Sequence, residues 1–111
     1  MIKGEKIRFD IHYILYSIYK FNKTLNSTSI KKIINKHDKK DISFLNNVTL
    51  NSMRFHLHSS KIIGKYIKKK LRDKERILLI SAITQIVFLG FKDYAVVNCS
   101  VEIAKKLNLD H

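Results

Sequence analysis

Basic side chains are the residues of this chain best suited to chemistry, and several of them recur at helical spacing near its middle. The stretch KIIGKYIKKKLR begins at Lys61 and ends at Arg72. At 3.6 residues per turn five of its six cations fall within an arc of roughly 100°, while Lys70 lies on the apolar side. The five are Lys61, Lys65, Lys68, Lys69 and Arg72. Apolar residues fill the other side, so the pattern predicts a helix, capped by Ser59 or Ser60, with a phosphate-contacting stripe. An ordinary solvated lysine face is the alternative.

The net charge of the whole chain points the same way. Twenty-two Lys and Arg against nine Asp and Glu give +13, which favours a polyanionic partner, RNA or DNA before an anionic membrane surface. A membrane fits less well, because the apolar side of the basic helix is needed for the core. The chain is also rich in Ile and Asn, so a compositional bias toward lysine is a further alternative. A second basic patch and one isolated cation complete the predicted RNA contacts: Lys3, Lys6, Arg8 and Arg54.

Catalytic and metal-binding patterns are missing from the sequence. Three scattered glycines cannot form a phosphate loop, and no pair of carboxylates stands out. Cys99 has no histidine near it in sequence, and we expect it to be a small buried or half-buried residue. His56 and His58, two apart on a helix, would point about 200° away from each other and could not share an ion. We therefore predict no catalytic residue, no metal site and no stand-alone enzyme.

The elements that must position these residues are helices. The chain has no proline and three glycines in 111 residues, which predicts a single all-α domain over residues 1–111, a compact bundle of about six helices. Ile77 to Leu89 is apolar except for Ser81, Thr84 and Gln85, which share one stripe. A helix that is apolar nearly all round must be wrapped by others, so we predict a central core helix ended by Gly90. It is shorter than the roughly 20 residues of a membrane span, and we see no secretory signal.

The flanking helices are predicted from their apolar spacing. The first, Lys6 to Phe21, has a clear core stripe of Ile7, Ile11, Ile14, Leu15 and Ile18. Its aromatic residues outside that stripe could stack on exposed bases or pack against a second layer of helices; they are Phe9, Tyr13 and Tyr16. A short second helix runs over about 30–36, and Asp41 is expected to cap a third that ends at Arg54. A sixth, Ala95 to Leu107, is expected to bury Val97, Val101 and Ala104.

From Lys40 to Lys106 the chain resembles the NusB family, and more closely the amino-terminal domain of the RsmB (Sun, Fmu) ribosomal RNA methyltransferases. DISFLNNVTLNSMR resembles the family helix that ends in arginine, and LRDKERILLISAITQIVFL resembles its central buried helix. YAVVNCSVEIAKKLN resembles the family's V-x-N-E-A-V-E-x-A-K helix. Its matching residues are Asn98, Val101, Glu102, Ala104 and Lys105. Two positions depart from the pattern: the usual proline is absent, and Cys99 replaces the motif's first glutamate.

The resemblance implies a non-catalytic, cytoplasmic RNA-binding domain whose partner is RNA, with small-subunit rRNA expected. The methyl transfer from S-adenosylmethionine to cytosine carbon 5 would belong to a following domain, so no cofactor is expected in this chain. A stand-alone NusB-like antitermination factor that binds RNA and a ribosomal protein is the second hypothesis, and a helical protein-interaction module is the third. The family's final helix is missing after His111, which leads us to expect exposed core surface or association into a homo-oligomer.

Overall fold

A computed structural model describes residues 4–108. This part of the chain is all-α, without strands, as predicted. The six α-helices are α1 (Glu5–Phe21), α2 (Thr28–Ile34), α3 (Lys39–Arg54), α4 (His56–Tyr66), α5 (Asp73–Ile83) and α6 (Asp93–Lys106). α5 runs directly into a π-helical segment, Thr84–Phe88. The Cα atoms extend over 38 × 30 × 27 Å.

α1 packs against α3, α5 and α6, and α5 with its π-helical continuation packs against α1, α3, α4 and α6. The predicted apolar stripe of α1 is correct, because four of the five stripe residues are buried and Ile18 is half-buried. The main core cluster joins this stripe to α2, α3 and α5, and comprises Ile7, Ile11, Ile14, Leu15, Ile30, Leu45, Val48 and Ile77. The helix ends at Asn22, which adopts the left-handed conformation (φ 56°) and donates its backbone N–H to the Ser17 carbonyl.

The helix formed by α5 and the π-helical segment buries its polar stripe, while part of its apolar surface faces solvent. Ser81, Thr84 and Gln85 are at most 4% exposed, whereas Val87 is 58% exposed. The prediction of a helix wrapped on every side is therefore wrong at its carboxyl end. The buried hydroxyl of Thr84 donates to the Ile80 carbonyl at 2.8 Å, so this polar group is satisfied within the helix.

Gly90 ends this helix, as predicted. It has φ 69°, a left-handed conformation that glycine adopts without steric cost. The Phe91 N–H then donates to the Gln85 carbonyl at 2.8 Å, which satisfies one of the carbonyls left open at the helix end.

The start of α3 differs from the prediction by three residues. Asp38, not Asp41, is the cap: its Oδ1 accepts the Asp41 N–H at 2.9 Å, and the helix begins at Lys39. A carboxylate in this position satisfies one of the free N–H groups of the first turn. The shift brings Lys40 and Asp41 into that first turn.

α6 packs with a different face from the predicted one. Val96, Cys99 and Ile103 are buried, whereas Val97 and Val101 are 48% and 47% exposed. The buried residues recur at the spacing of one helical face. Val97 and Val101 lie on a neighbouring face, rotated by about 100°, the angle between successive residues of a helix. Ala104, also predicted in the core, is half-buried against Leu78 and Ile103. Cys99 is fully buried, in agreement with its expected packing role.

Candidate nucleic-acid interface

The predicted basic helix does not exist as one element. α4 begins at His56, with Ser59 buried inside it rather than capping it, and ends at Tyr66. Ile67 is extended (φ −118°, ψ 114°), and residues 67–72 are not helical. Lys61 and Lys65 therefore lie on α4, while the remaining three cations lie in or at the end of the connecting segment. The prediction that all five cations form a single arc on one helix is therefore wrong.

Charge and capping explain why the helix stops where it does. A longer helix would bring several lysines into i, i+3 and i, i+4 contact, which is repulsive. Lys68 instead turns back and donates from Nζ to the Gly64 carbonyl at 3.3 Å, a favourable contact for a cation at a helix carboxyl end. Arg72 precedes α5, and its backbone N–H donates to Glu75 Oε1 at 3.0 Å.

All five predicted cations are exposed to solvent, and we call them the basic strip: Lys61, Lys65, Lys68, Lys69 and Arg72. Arg72 also pairs through Nε with Glu75 Oε1 at 3.2 Å. Within residues 4–108, no ion pair involves Lys61, Lys65 or Lys69. The strip thus carries available positive charge on the last turns of α4 and on the non-helical segment that follows it.

The second predicted patch is divided. Lys3 lies outside the described residues, and Lys6 is exposed on α1. Arg8 is half-buried and held in place: its Nε donates to Gln85 Oε1 at 2.6 Å, and its guanidinium carbon lies 5.1 Å from the centroid of the Phe44 ring. Such a cation is already ordered before any anion arrives, so less side-chain entropy is lost on binding.

Arg8 opens onto a cleft of about 470 Å³. The cleft is formed where the first turns of three helices meet: α1, α3 and α6. Its lining residues are Gly4, Ile7, Arg8, Lys40, Asp41, Phe44, Tyr94, Ala95 and Asn98. We call this the Arg8 cleft. Among the predicted cations that the structure describes, Arg8 alone lines it, so the cleft and the basic strip are separate regions.

The residues that line the Arg8 cleft suit a ligand with two parts, an anionic group and an aromatic ring. The free N–H groups and the dipole of a helix amino end favour negative charge, and here three such ends accompany Arg8 and Lys40. Asp41 lines the cleft with one negative charge, and the same helix ends also carry Glu5, Asp38 and Asp93, of which Asp38 caps α3. Tyr94 is 65% exposed and offers a ring face, while the exposed amide of Asn98 can both donate and accept hydrogen bonds. A phosphate and a base could both be held here.

Sequence reasoning did not identify Lys40, Phe44 or Tyr94 as site residues. Each falls in or near the first turn of a predicted helix, but the spacing of residues within one helix does not reveal which helix ends meet. Asn98 was noted only through the family motif. Arg54, in contrast, was predicted as an RNA contact and lies exposed in the last turn of α3, 5.6 Å from the centroid of the Phe55 ring.

The histidines of α4 have packing contacts. His56 stacks on Tyr19 with ring centroids 4.7 Å apart, and burial, helped by the nearby charge of Arg76, lowers the pKa of its imidazole. His58 meets Phe88 edge to face at 6.0 Å. Among residues 4–108, no group of three or more His, Cys, Asp or Glu side chains is arranged to hold a metal ion.

The helical architecture, the exposed lysines and the cleft at three helix amino ends together define a helical domain suited to binding polyanions. The NusB family model matches residues 8–111, so the chain belongs to the NusB family. Membership implies an RNA-binding, NusB-like domain. No curated protein and no solved structure matches the chain. In the part that the structure describes, no helix has the length and hydropathy needed to cross a bilayer.

Proposed function

We propose that this chain is the RNA-binding domain of an S-adenosylmethionine-dependent methyltransferase that modifies cytosine carbon 5 in small-subunit rRNA. The observation that carries RNA binding is the Arg8 cleft, where an ordered guanidinium, a second cation and the amino ends of three helices face one cavity. The methyltransferase branch is supported by the resemblance of α3, which ends in Arg54, to the corresponding helix of that branch. The methyl transfer would belong to a separate catalytic domain, which would bind the cofactor in the cytoplasm.

The two basic regions have different roles in this proposal. The Arg8 cleft holds one nucleotide in a defined orientation, because the Arg8 guanidinium is ordered by Gln85 and Phe44. The basic strip follows the phosphate backbone without reading sequence, since exposed lysines on an extended segment act mainly through charge. Orientation would come from the cleft and most of the salt dependence from the strip.

The test is a salt titration of binding to a structured fragment of small-subunit rRNA, with two charge-matched variants. One variant carries Lys61→Gln, Lys65→Gln, Lys68→Gln and Lys69→Gln. The control carries four substitutions of exposed lysines around α2: Lys23→Gln, Lys31→Gln, Lys32→Gln and Lys36→Gln. Both lose the same charge, so only the location differs.

The slope of log K against log salt changes by roughly 0.7–0.9 for each phosphate that the protein no longer neutralises. If all four lysines bind phosphate, we expect the magnitude of this slope to fall by about 3 in the strip variant. We expect it to fall much less in the control. Equal losses in both variants would favour compositional lysine enrichment over an RNA-binding strip. Absence of binding by the unmodified protein at low salt would contradict the RNA-binding proposal itself.

A free-standing antitermination factor is the second candidate, because the family also contains such proteins. The reading frame after His111 separates the two: the first predicts a methyltransferase domain there, the second predicts none. The second also predicts a stable complex with a ribosomal protein, which size-exclusion chromatography of the mixed proteins would detect.

A further inference from the structure

A second group of aromatic residues lies on the outer face of α1, away from the Arg8 cleft. Tyr13 is 48% exposed and Phe21 is 61% exposed. Together with Phe9 and Tyr16 they line a cavity of about 120 Å³, which Lys74 closes from the start of α5. Rings of this size are costly to leave in water, and they are concentrated here on one side of one helix.

This cavity continues into a wider one. The neighbouring cavity, of about 330 Å³, is lined by Tyr16, Arg72, Asp73 and Lys74, among others. Because Tyr16 and Lys74 line both cavities, they form one groove between α1 and the start of α5. We call it the α1–α5 groove. Its far end includes Arg72, the last cation of the basic strip, so the groove and the strip are continuous.

The walls of the groove are tied together by hydrogen bonds and ring contacts. His12 Nε2 lies 3.1 Å from the Lys74 carbonyl oxygen, and Lys20 pairs with Asp73 at 3.1 Å. Tyr16 meets Phe21 edge to face at 5.9 Å, and Lys74 Nζ lies 5.5 Å from the centroid of the Tyr16 ring. Tyr16 and Phe21 are therefore held by contacts within the groove, which lowers the entropy lost when a ligand stacks on Phe21.

The charge around the groove selects among possible ligands. Asp73, its acidic lining residue, is paired with Lys20 and Arg76, and Arg72 is paired with Glu75. The two acidic groups are thus matched by these cations, and Lys74 leaves the groove with net positive charge. Exposed aromatic rings beside a track of cations are the features with which proteins bind single-stranded nucleic acid, the rings stacking on bases and the cations meeting phosphates. A protein segment could use the rings but would gain little from the cations unless it were acidic.

We propose that the α1–α5 groove is a base-stacking subsite for unpaired RNA. Tyr13 and Phe21 stack on unpaired bases of an RNA strand that continues from the basic strip into the groove. Arg72 and Lys74 hold the phosphates that link those bases. This inference rests on the proposed RNA-binding function and adds to it a preference for single-stranded over duplex RNA at this surface.

The experiment compares a single-stranded oligoribonucleotide that carries one 2-aminopurine with a duplex of the same length. Binding is followed by quenching of the 2-aminopurine emission and, because the chain has five tyrosines and no tryptophan, by tyrosine emission. The variants are Tyr13→Leu and Phe21→Leu, alone and combined. Tyr13→Phe is the matched control, because it keeps the ring. Thermal melting checks that each variant folds, as expected for exposed side chains.

We expect each leucine variant to weaken single-strand binding by roughly 5- to 100-fold, while Tyr13→Phe binds nearly as well as the unmodified protein and duplex binding hardly changes. If the leucine variants bind single strands normally, the groove is not an RNA subsite and a protein partner becomes the better occupant. Equal losses for single strands and duplex would also overturn base stacking. A wild-type protein that binds neither RNA would overturn the proposed function together with this subsite.

Discussion

Replacing Arg8 or Gln85 should have unequal effects on stability, because only one of the two can be rehydrated. Arg8 Nε donates to Gln85 Oε1 at 2.6 Å. Gln85 is 2% exposed, and its amide nitrogen already donates to the Ser81 carbonyl and hydroxyl. Arg8 is half-buried at the edge of an open cleft, so water can replace a missing partner there.

The expected free energies result from that difference. Arg8→Leu leaves the Gln85 carbonyl oxygen buried without its donor, which costs about 1–3 kcal/mol. Gln85→Leu removes the buried polar group together with its need for a partner, and we expect a loss of at most about 1 kcal/mol. The double variant should be close to Gln85→Leu alone, which corresponds to a coupling energy equal to the cost of Arg8→Leu, about 1–3 kcal/mol.

Thermal and urea denaturation of the four proteins would complete the double-mutant cycle. In a domain of this size 1 kcal/mol corresponds to roughly 4–8 °C in Tm, so the Arg8→Leu effect is well within measurement. RNA affinity gives a second readout: Gln85→Leu should weaken RNA binding although the protein stays folded, because Arg8 loses its orienting acceptor.

Additive effects in the cycle would refute this reasoning, since they would mean that the hydrogen bond contributes nothing beyond each side chain alone. A large loss for Gln85→Leu with a small one for Arg8→Leu would refute it as well. That result would show that the buried amide matters for its bonds to Ser81 and not for its bond with Arg8.

Three further results are expected. Gly4→Ala should destabilise the fold by about 1–2 kcal/mol, because position 4 has φ 84°, whereas Gly64→Ala, within α4 and with open space around it, should stabilise it by about 0.4–1 kcal/mol; urea denaturation measures both. Ile103→Ala should cost about 2–5 kcal/mol and Val101→Ala under about 0.5 kcal/mol; similar losses would contradict the observed face of α6. Burial lowers the pKa of His12 below 6.5, so the unfolded chain binds this proton more readily and the stabilisation present above about pH 6.5 is lost as the pH falls below it. Tm should therefore drop on acidification, and His12→Gln should reduce that drop; a Tm independent of pH would contradict it.

The buried face was predictable where the aliphatic residues of a helix lie on one side only. α1 is such a case, because its core stripe faces away from Lys6, Asp10 and Lys20. α6 carries apolar residues on both sides, with Val97 and Val101 outward and Val96 and Ile103 inward, so spacing alone could not select the buried face. The choice between them is made by the shape of the surface that α1 and α5 offer.

The candidate site was predictable in composition more than in geometry. The basic strip is exposed as expected, but its helix ends at Tyr66. A longer helix would bring lysines close together, and Arg72 with Glu75 instead starts α5 at Asp73. The Arg8 cleft needs three helix ends to meet, and that depends on contacts between residues far apart in sequence. Arg8 and Gln85, for example, are 77 positions apart.

The π-helical segment has a consequence for how the chain tolerates changes in length. Its Leu89 N–H donates to the Thr84 carbonyl, five residues back, at 2.9 Å, so one turn holds an additional residue compared with an α-helix. In an ordinary α-helix each residue turns the helix by about 100°, so deleting one residue rotates the rest of the chain by that angle. Here the wide turn already contains one residue more than an α-helical turn needs, and deleting one residue between 84 and 88 would return it to α-helical geometry with Gly90 and α6 close to their present orientation. The π-helical segment is thus the part of this helix that can lose a residue without displacing the carboxyl-terminal part of the domain.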